Sequence, residues 1–80
     1  MKKLIGVKEL AKSIGVSPST VTYYTNLGLF VVDKIKGNKR LYDSELTTRR
    51  FNDIQKARQE GYSLMLIKRK ISEKDIIKEG

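Results

Sequence analysis

Side chains that form hydrogen bonds are concentrated in residues 17–25, which read SPSTVTYYT. Ser19, Thr20 and Thr22 carry short hydroxyl groups that both donate and accept hydrogen bonds. Residues 36–40, which read KGNKR, add three cations and no acid. Ordinary solvent exposure would account for the hydroxyl groups alone, but the neighbouring cations favour contact with an anionic partner.

The available side chains do not favour catalysis. The chain has no cysteine and no histidine, which excludes disulfides and thiolate metal sites and removes the second common ligand of zinc. Six of the nine carboxylates lie beside Lys or Arg at spacings typical of solvated surface pairs. These carboxylates are Glu9, Asp33, Asp43, Glu45, Asp53 and Glu60. We therefore expect a protein that is not an enzyme, with no cofactor and no metal site.

The charge balance indicates a polyanionic partner. The chain has 17 Lys plus Arg against 9 Asp plus Glu, a formal net charge of +8. The alternative is that the lysines only aid solubility, so the positions of the charges must decide. The longest apolar run, residues 29–32, is far shorter than the ~20 residues of a membrane span. We expect one small soluble domain, located in the cytoplasm, with no membrane partner.

Two short helices joined by a tight turn must position the hydroxyl groups. Apolar residues at 7, 10, 11 and 14 share one face of a first helix, which Gly15 ends. Ser17 and Pro18 predict the start of a second helix, because serine caps a helix N-terminus and proline suits the first helical position. Gly28 predicts its end near Leu27. This layout is a helix-turn-helix.

A basic β-hairpin is expected to follow. Residues 29–35 are mainly apolar and β-branched, residues 36–39 favour a turn, and residues 40–42 can pair back. We call residues 34–42 the wing. Its tip carries the cations Lys36, Lys39 and Arg40.

Two more helices complete the prediction. Asp43 is the expected N-cap of a third helix that runs to about Glu60. Ser63 is the expected N-cap of a fourth helix. The third helix should turn Leu46, Phe51, Ile54 and Ala57 inward, and the fourth Leu64, Ile67 and Ile71. Arg50 should lie at the margin of the third helix, with its stem packed and its head in water. Residues 72–75, SEKD, resemble a further capping box, which predicts a domain over 1–72 and the start of another helix or a tail over 73–80.

Helical geometry separates the two adjacent tyrosines. Tyr24 shares a stripe with Val21 and Leu27 and should pack in the core. Tyr23 is rotated by about 100° from Tyr24 and should face outward, where its hydroxyl can donate to a phosphate oxygen. The alternative for Tyr23 is a half-buried ring that covers the core.

Several motifs together resemble the MerR family of bacterial regulators. They are VSPSTVTYYTNLGL at 16–29, the basic hairpin, RLY at 40–42 and GYSL at 61–64, and the similarity extends from residue 4 to about 71. The resemblance implies a mainly α fold, a winged helix-turn-helix of about four helices plus the wing. It also implies that the second helix enters the major groove of double-stranded DNA, that Tyr23 contacts the backbone, and that Arg40 and Tyr42 touch flanking phosphates.

The expected DNA-binding residues come from both arguments. They are Ser17, Ser19, Thr20, Thr22, Tyr23, Lys36, Asn38, Lys39, Arg40 and Tyr42. Two departures from the family pattern stand out: Thr22 replaces the usual arginine, and Thr25 replaces a frequent acid. Family members usually continue into a dimerisation helix, so homodimerisation would use sequence beyond residue 80, and these residues are either a minimal form or a fragment.

Three functions remain open from the sequence. The leading hypothesis is sequence-specific DNA binding in transcriptional regulation. The second keeps the DNA contact but anchors a plasmid or chromosome segregation protein, or shapes DNA as an excisionase-like factor does; on either hypothesis the protein is expected with nucleoid or plasmid DNA. The third is a protein-interaction module that uses Leu29, Phe30 and Val31.

Overall fold

The chain folds into four helices and a small antiparallel sheet, as a winged helix-turn-helix. The computed structural model describes residues 2–79, with side chains for residues 2–71. The elements are β1 (Leu4–Ile5), α1 (Val7–Ile14), α2 (Pro18–Asn26), β2 (Lys34–Lys36), β3 (Lys39–Asp43), α3 (Ser44–Gln59) and α4 (Leu64–Glu79). The predicted fold class is confirmed.

The helix-turn-helix forms as its local signals predict. Gly15 adopts the left-handed conformation that ends α1, and the Ser17 hydroxyl accepts a hydrogen bond from the Thr20 N–H at 3.2 Å, which caps α2. The facing sides of the two helices are fully buried at Leu10 and Val21. Apolar contact between these sides sets the angle at which α2 leaves the turn.

The first strand of the hairpin is shorter than predicted, because the residues after α2 do not belong to it. Strand β2 begins at Lys34, whereas Leu29 and Phe30 are buried behind α2. The Leu29 N–H donates to the Tyr24 carbonyl and the Gly28 N–H to the Thr25 carbonyl, at 2.9 and 3.0 Å. This pair of bonds is a Schellman motif, in which Gly28 has a φ of 85°. Leu29 and Phe30, which the sequence predicted as part of a strand, therefore form the C-terminal cap region of α2 and pack in the core.

The sheet contains one strand that the sequence did not predict. Strand β3 lies between β1 and β2, with Ile5 opposite Tyr42 and Ile35 opposite Arg40. Strand β1 is two residues long, too short for an alternating pattern. Its pairing ties the N-terminal segment to the base of the wing.

Helix α3 differs from prediction at one position of its inward face. Asp43 caps it, accepting a hydrogen bond from the Leu46 N–H at 3.0 Å, and Phe51 and Ile54 are buried as expected. Leu46, however, is 52% exposed, and Thr47 is buried in its place. Thr47 lies four residues before Phe51 and so shares its face, while Leu46 is rotated by about 100°.

Helix α4 is longer than predicted. Ser63 caps it through the Leu66 N–H, Ile67 is buried, and Leu64 and Ile71 pack against the core, as expected. The backbone continues as one helix across residue 72, which corrects the predicted start of a further helix. Residues 72–75 include no glycine or proline to stop a helix, so the existing hydrogen-bond ladder continues. A cap by the Ser72 side chain lies outside the described side chains.

Candidate nucleic-acid interface

The outward face of α2 presents the predicted hydroxyl groups. Ser19 and Thr22 are exposed, while Thr20 is half-buried. The hydroxyl oxygens of Ser17 and Thr20 lie 3.0 Å apart and hydrogen-bond to each other, in addition to the cap. Ser19 and Thr22 are therefore the α2 hydroxyl groups with the most freedom to meet a partner.

The two tyrosines take the positions predicted for them. Tyr24 is 6% exposed and packs its ring edge-on against Phe30, with ring centroids 5.3 Å apart. Tyr23 is 53% exposed. Its hydroxyl is thus available on the same surface as Ser19, and its contact with a phosphate stays a prediction.

The tip of the wing is a compact basic hairpin. Gly37 and Asn38 form a two-residue turn, and only Gly37 has a positive φ, 63°, the pattern of a type II′ turn. Lys36 lies directly opposite Lys39, and such a like-charged pair weakens a hairpin. A polyanion placed over the tip would relieve this repulsion.

Tyr42 corrects the predicted set of DNA contacts. Its side chain is fully buried, and its hydroxyl oxygen lies 2.8 Å from the Thr25 hydroxyl oxygen on α2. Thr25 donates its one hydroxyl hydrogen to the Val21 carbonyl at 2.8 Å, so Tyr42 is the donor to Thr25. Tyr42 therefore holds the base of the wing against α2 and does not reach a ligand at the surface.

A groove brings α2, the wing and the start of α1 together. It has a volume of about 630 Å³ and lies between Thr22 and Asn26 of α2, Lys8 of α1 and the wing tip. The tip residues on its wall are Asn38, Lys39 and Arg40. The sequence singled out neither Lys8 nor Asn26. Asn26 is four residues after Thr22 and could have been found from helical spacing, but only the tertiary structure brings Lys8 here.

Arg50, on α3, forms a hydrogen bond with the backbone just after the end of α2. Its guanidinium Nη1 donates to the Leu29 carbonyl oxygen at 3.2 Å, and the residue is half-buried. The head is thus bonded to the backbone instead of lying in water as predicted. Because Leu29 and Phe30 are buried here, the protein-interaction surface proposed for them retains only Val31 as an exposed residue.

The ion pairs lie away from this groove. Among residues 2–71 they are Lys2 with Asp33 and Arg49 with Glu45, each at 2.9 Å, so neither uses a cation of the groove. The hydrogen bond from Lys2 to Asp33 raises the pKa of the Lys2 ammonium, and the Asp33 charge adds to this. In the same part of the chain, no three acidic side chains come together as metal ligands would.

A family model described as MerR HTH family regulatory protein matches residues 6–74, from the N-cap of α1 into α4. The chain belongs to this family. The resemblance seen in the motifs is confirmed, and with it DNA binding in transcriptional regulation as the general function. Regulators of the MerR HTH family bind DNA and are not enzymes. Searches of curated proteins and of solved structures found no match. No helix described here is long and apolar enough to span a membrane.

Proposed function

We propose that this MerR HTH domain binds a specific sequence of double-stranded DNA, with α2 in the major groove and the wing on the sugar-phosphate backbone. The observation that carries the proposal is the joint exposure of Ser19, Thr22 and Tyr23 on α2, where Thr22 shares a groove with the basic wing tip. Short hydroxyl side chains near a helix N-terminus suit the reading of base edges, and cations suit phosphates.

The arrangement of charge supports the same division of roles. Helix α2 has no charged side chain in either end turn, so its outward face is suited to hydrogen bonds more than to general attraction. The exposed cations Lys36, Lys39 and Arg40 lie on the neighbouring hairpin. Base readout is thus assigned to α2 and most of the sequence-independent affinity to the wing.

Salt dependence follows from the number of phosphates that the domain neutralises. For about four to six phosphates, the slope of log K against log salt is roughly −4 to −5. A shallower slope would mean that the domain neutralises fewer than four phosphates.

Selection of bound duplexes from a random pool tests the proposal. The expected result is a consensus, followed by tighter binding of the selected duplex than of a scrambled one at matched salt. Equal affinity for both duplexes would contradict specific recognition and favour an architectural role. A palindromic consensus would indicate a dimer on DNA, and a direct repeat would indicate cooperative monomers.

A further inference from the structure

We propose that the groove between α2 and the wing holds one segment of the DNA sugar-phosphate backbone, and that Lys8 of α1 is a phosphate contact there. The inference rests on the proposed function and extends it to two residues outside the expected contact set, Lys8 and Asn26. Part of the contact with the DNA backbone is thereby assigned to the first turn of α1, the first helix of the helix-turn-helix.

The chemistry of the groove wall suits a phosphodiester. Three cations line it, Lys8, Lys39 and Arg40, against one acid, Glu9. The neutral donors on the wall are the side chains of Thr22, Asn26 and Asn38. Amide and hydroxyl groups donate to phosphate oxygens, and an arginine guanidinium does so with two parallel bonds. Within residues 2–71 no ion pair occupies the three cations, so no ion pair among these residues must break before they bind.

The wing base keeps the groove at a fixed width. Residues two apart on a strand share a face, so Arg40 lies on the same face of β3 as Tyr42. The Tyr42 hydroxyl is bonded to Thr25 on α2, which holds that face toward α2 and its residues Thr22 and Asn26. A groove whose walls are already joined loses little conformational freedom when it binds a ligand.

Continuity with the outward face of α2 identifies the occupant as a DNA strand. Thr22 belongs both to the groove and to the exposed surface that carries Tyr23. A strand contacted by α2 can thus extend into the groove without leaving the protein surface. A free phosphate ion would use the same donors, and the experiment below separates these two sources.

The test compares Lys8→Ala with Lys12→Ala, a matched loss of one exposed lysine from α1 outside the groove wall. Affinity for the selected duplex and for a scrambled duplex is measured from low to moderate salt. Loss of one phosphate contact predicts about tenfold weaker binding near 0.1 M salt and a salt slope smaller by about 1, on both duplexes. Lys12→Ala should stay within about twofold of the unmodified protein, since it removes charge but no contact.

Two additional variants extend the test. Asn26→Ala should weaken binding by a few-fold without a change in salt slope, because it removes a neutral donor. Glu9→Gln should strengthen binding by a few-fold, because it removes the acid that faces the backbone. Thermal melting, monitored by circular dichroism, shows whether each variant is folded.

The outcomes separate the inference from the proposed function. If Lys8→Ala and Lys12→Ala behave alike while the unmodified protein binds its consensus, the groove inference is overturned and specific DNA binding stands. If inorganic phosphate displaces the duplex far better than chloride at equal ionic strength, and Lys8→Ala abolishes that difference, the groove is a free-anion site and the inference is again overturned. If no duplex binds the unmodified protein, both proposals fall.

Discussion

The tip and the base of the wing differ sharply, although strand β3 runs through both. Arg40 and Tyr42 share a face of β3, yet Arg40 is exposed and Tyr42 is fully buried with its hydroxyl bonded to Thr25. The tip also carries the facing pair Lys36 and Lys39, which opposes folding of the hairpin. The contacts that stabilise the wing therefore lie at its base, while the tip is available for a ligand and contributes little to the fold.

The largest expected effect tests the base. Tyr42→Ala should lower the free energy of unfolding by about 4 kcal/mol, because it leaves a cavity in the core and removes the bond to Thr25. Urea denaturation measures the change. The control is Ile35→Ala, in the same hairpin but 65% exposed, which should change stability by less than about 0.5 kcal/mol. Similar losses for both variants would contradict the division between tip and base.

The next effect tests the tip. Lys39→Ala/Arg40→Ala should weaken binding to the selected duplex by about 60-fold near 0.1 M salt, as expected for two lost phosphate contacts, and reduce the salt slope by about 2. Its melting temperature should be unchanged or slightly higher, because the pair Lys36 and Lys39 no longer repels.

The control for that variant removes the same charge elsewhere. Lys12→Ala/Arg49→Ala alters two exposed cations outside the groove wall and should change affinity by only a few-fold. A comparable loss of affinity in both double variants would mean that net charge, and not the wing tip, determines binding.

A smaller effect isolates the bond between the wing and α2. Tyr42→Phe keeps the buried ring and should lower the free energy of unfolding by about 1 kcal/mol, because the Thr25 hydroxyl loses its donor. Thr25 still donates to the Val21 carbonyl, so α2 stays formed. Urea denaturation and affinity for the selected duplex are both measured. If the bond also fixes the groove, affinity falls modestly at a temperature where the variant is fully folded; unchanged stability would show that the bond contributes nothing net.

The smallest effect concerns the paired tyrosines. Tyr23→Phe should weaken binding to the selected duplex by about threefold, the loss of one hydrogen bond to a phosphate, with no change in melting temperature. Tyr24→Phe is the matched control, because its ring is packed at 6% exposure and should leave affinity unchanged. Equal affinities for the two variants would mean that the Tyr23 hydroxyl does not contact a phosphate.

Much of the fold was predictable because its signals are local. The caps at Ser17, Asp43 and Ser63 form as expected, since a cap depends on a hydroxyl or carboxylate reaching a backbone N–H within three residues. The exception is the separate helix predicted to start near residue 72, where the backbone of α4 continues without a break. Polar residues that can start a helix can also continue one, so a capping motif inside a formed helix carries little information.

The errors fall where a segment has two possible uses. Residues 29–32 read as a strand, but Leu29 and Phe30 close the end of α2 and bury their side chains behind it. The position of Tyr42 in the RLY motif suggested a contact with DNA at the surface. Tyr42 is instead buried in the core, at the point where β3 pairs with β1. In both cases the burial of the side chain depends on which other elements pack against the segment, and this is a property of the assembled fold.

The helix-turn-helix, the outward position of Tyr23 and the basic character of the wing can all be inferred from the sequence, because helical period, capping and charge are properties of neighbouring residues. The burial of Tyr42 and the groove that Lys8 lines with Arg40 become visible in the assembled fold alone. Lys8 and Arg40 lie 32 positions apart in the chain. Their proximity depends on the angle between α1, α2 and the wing, which packing of the shared core sets.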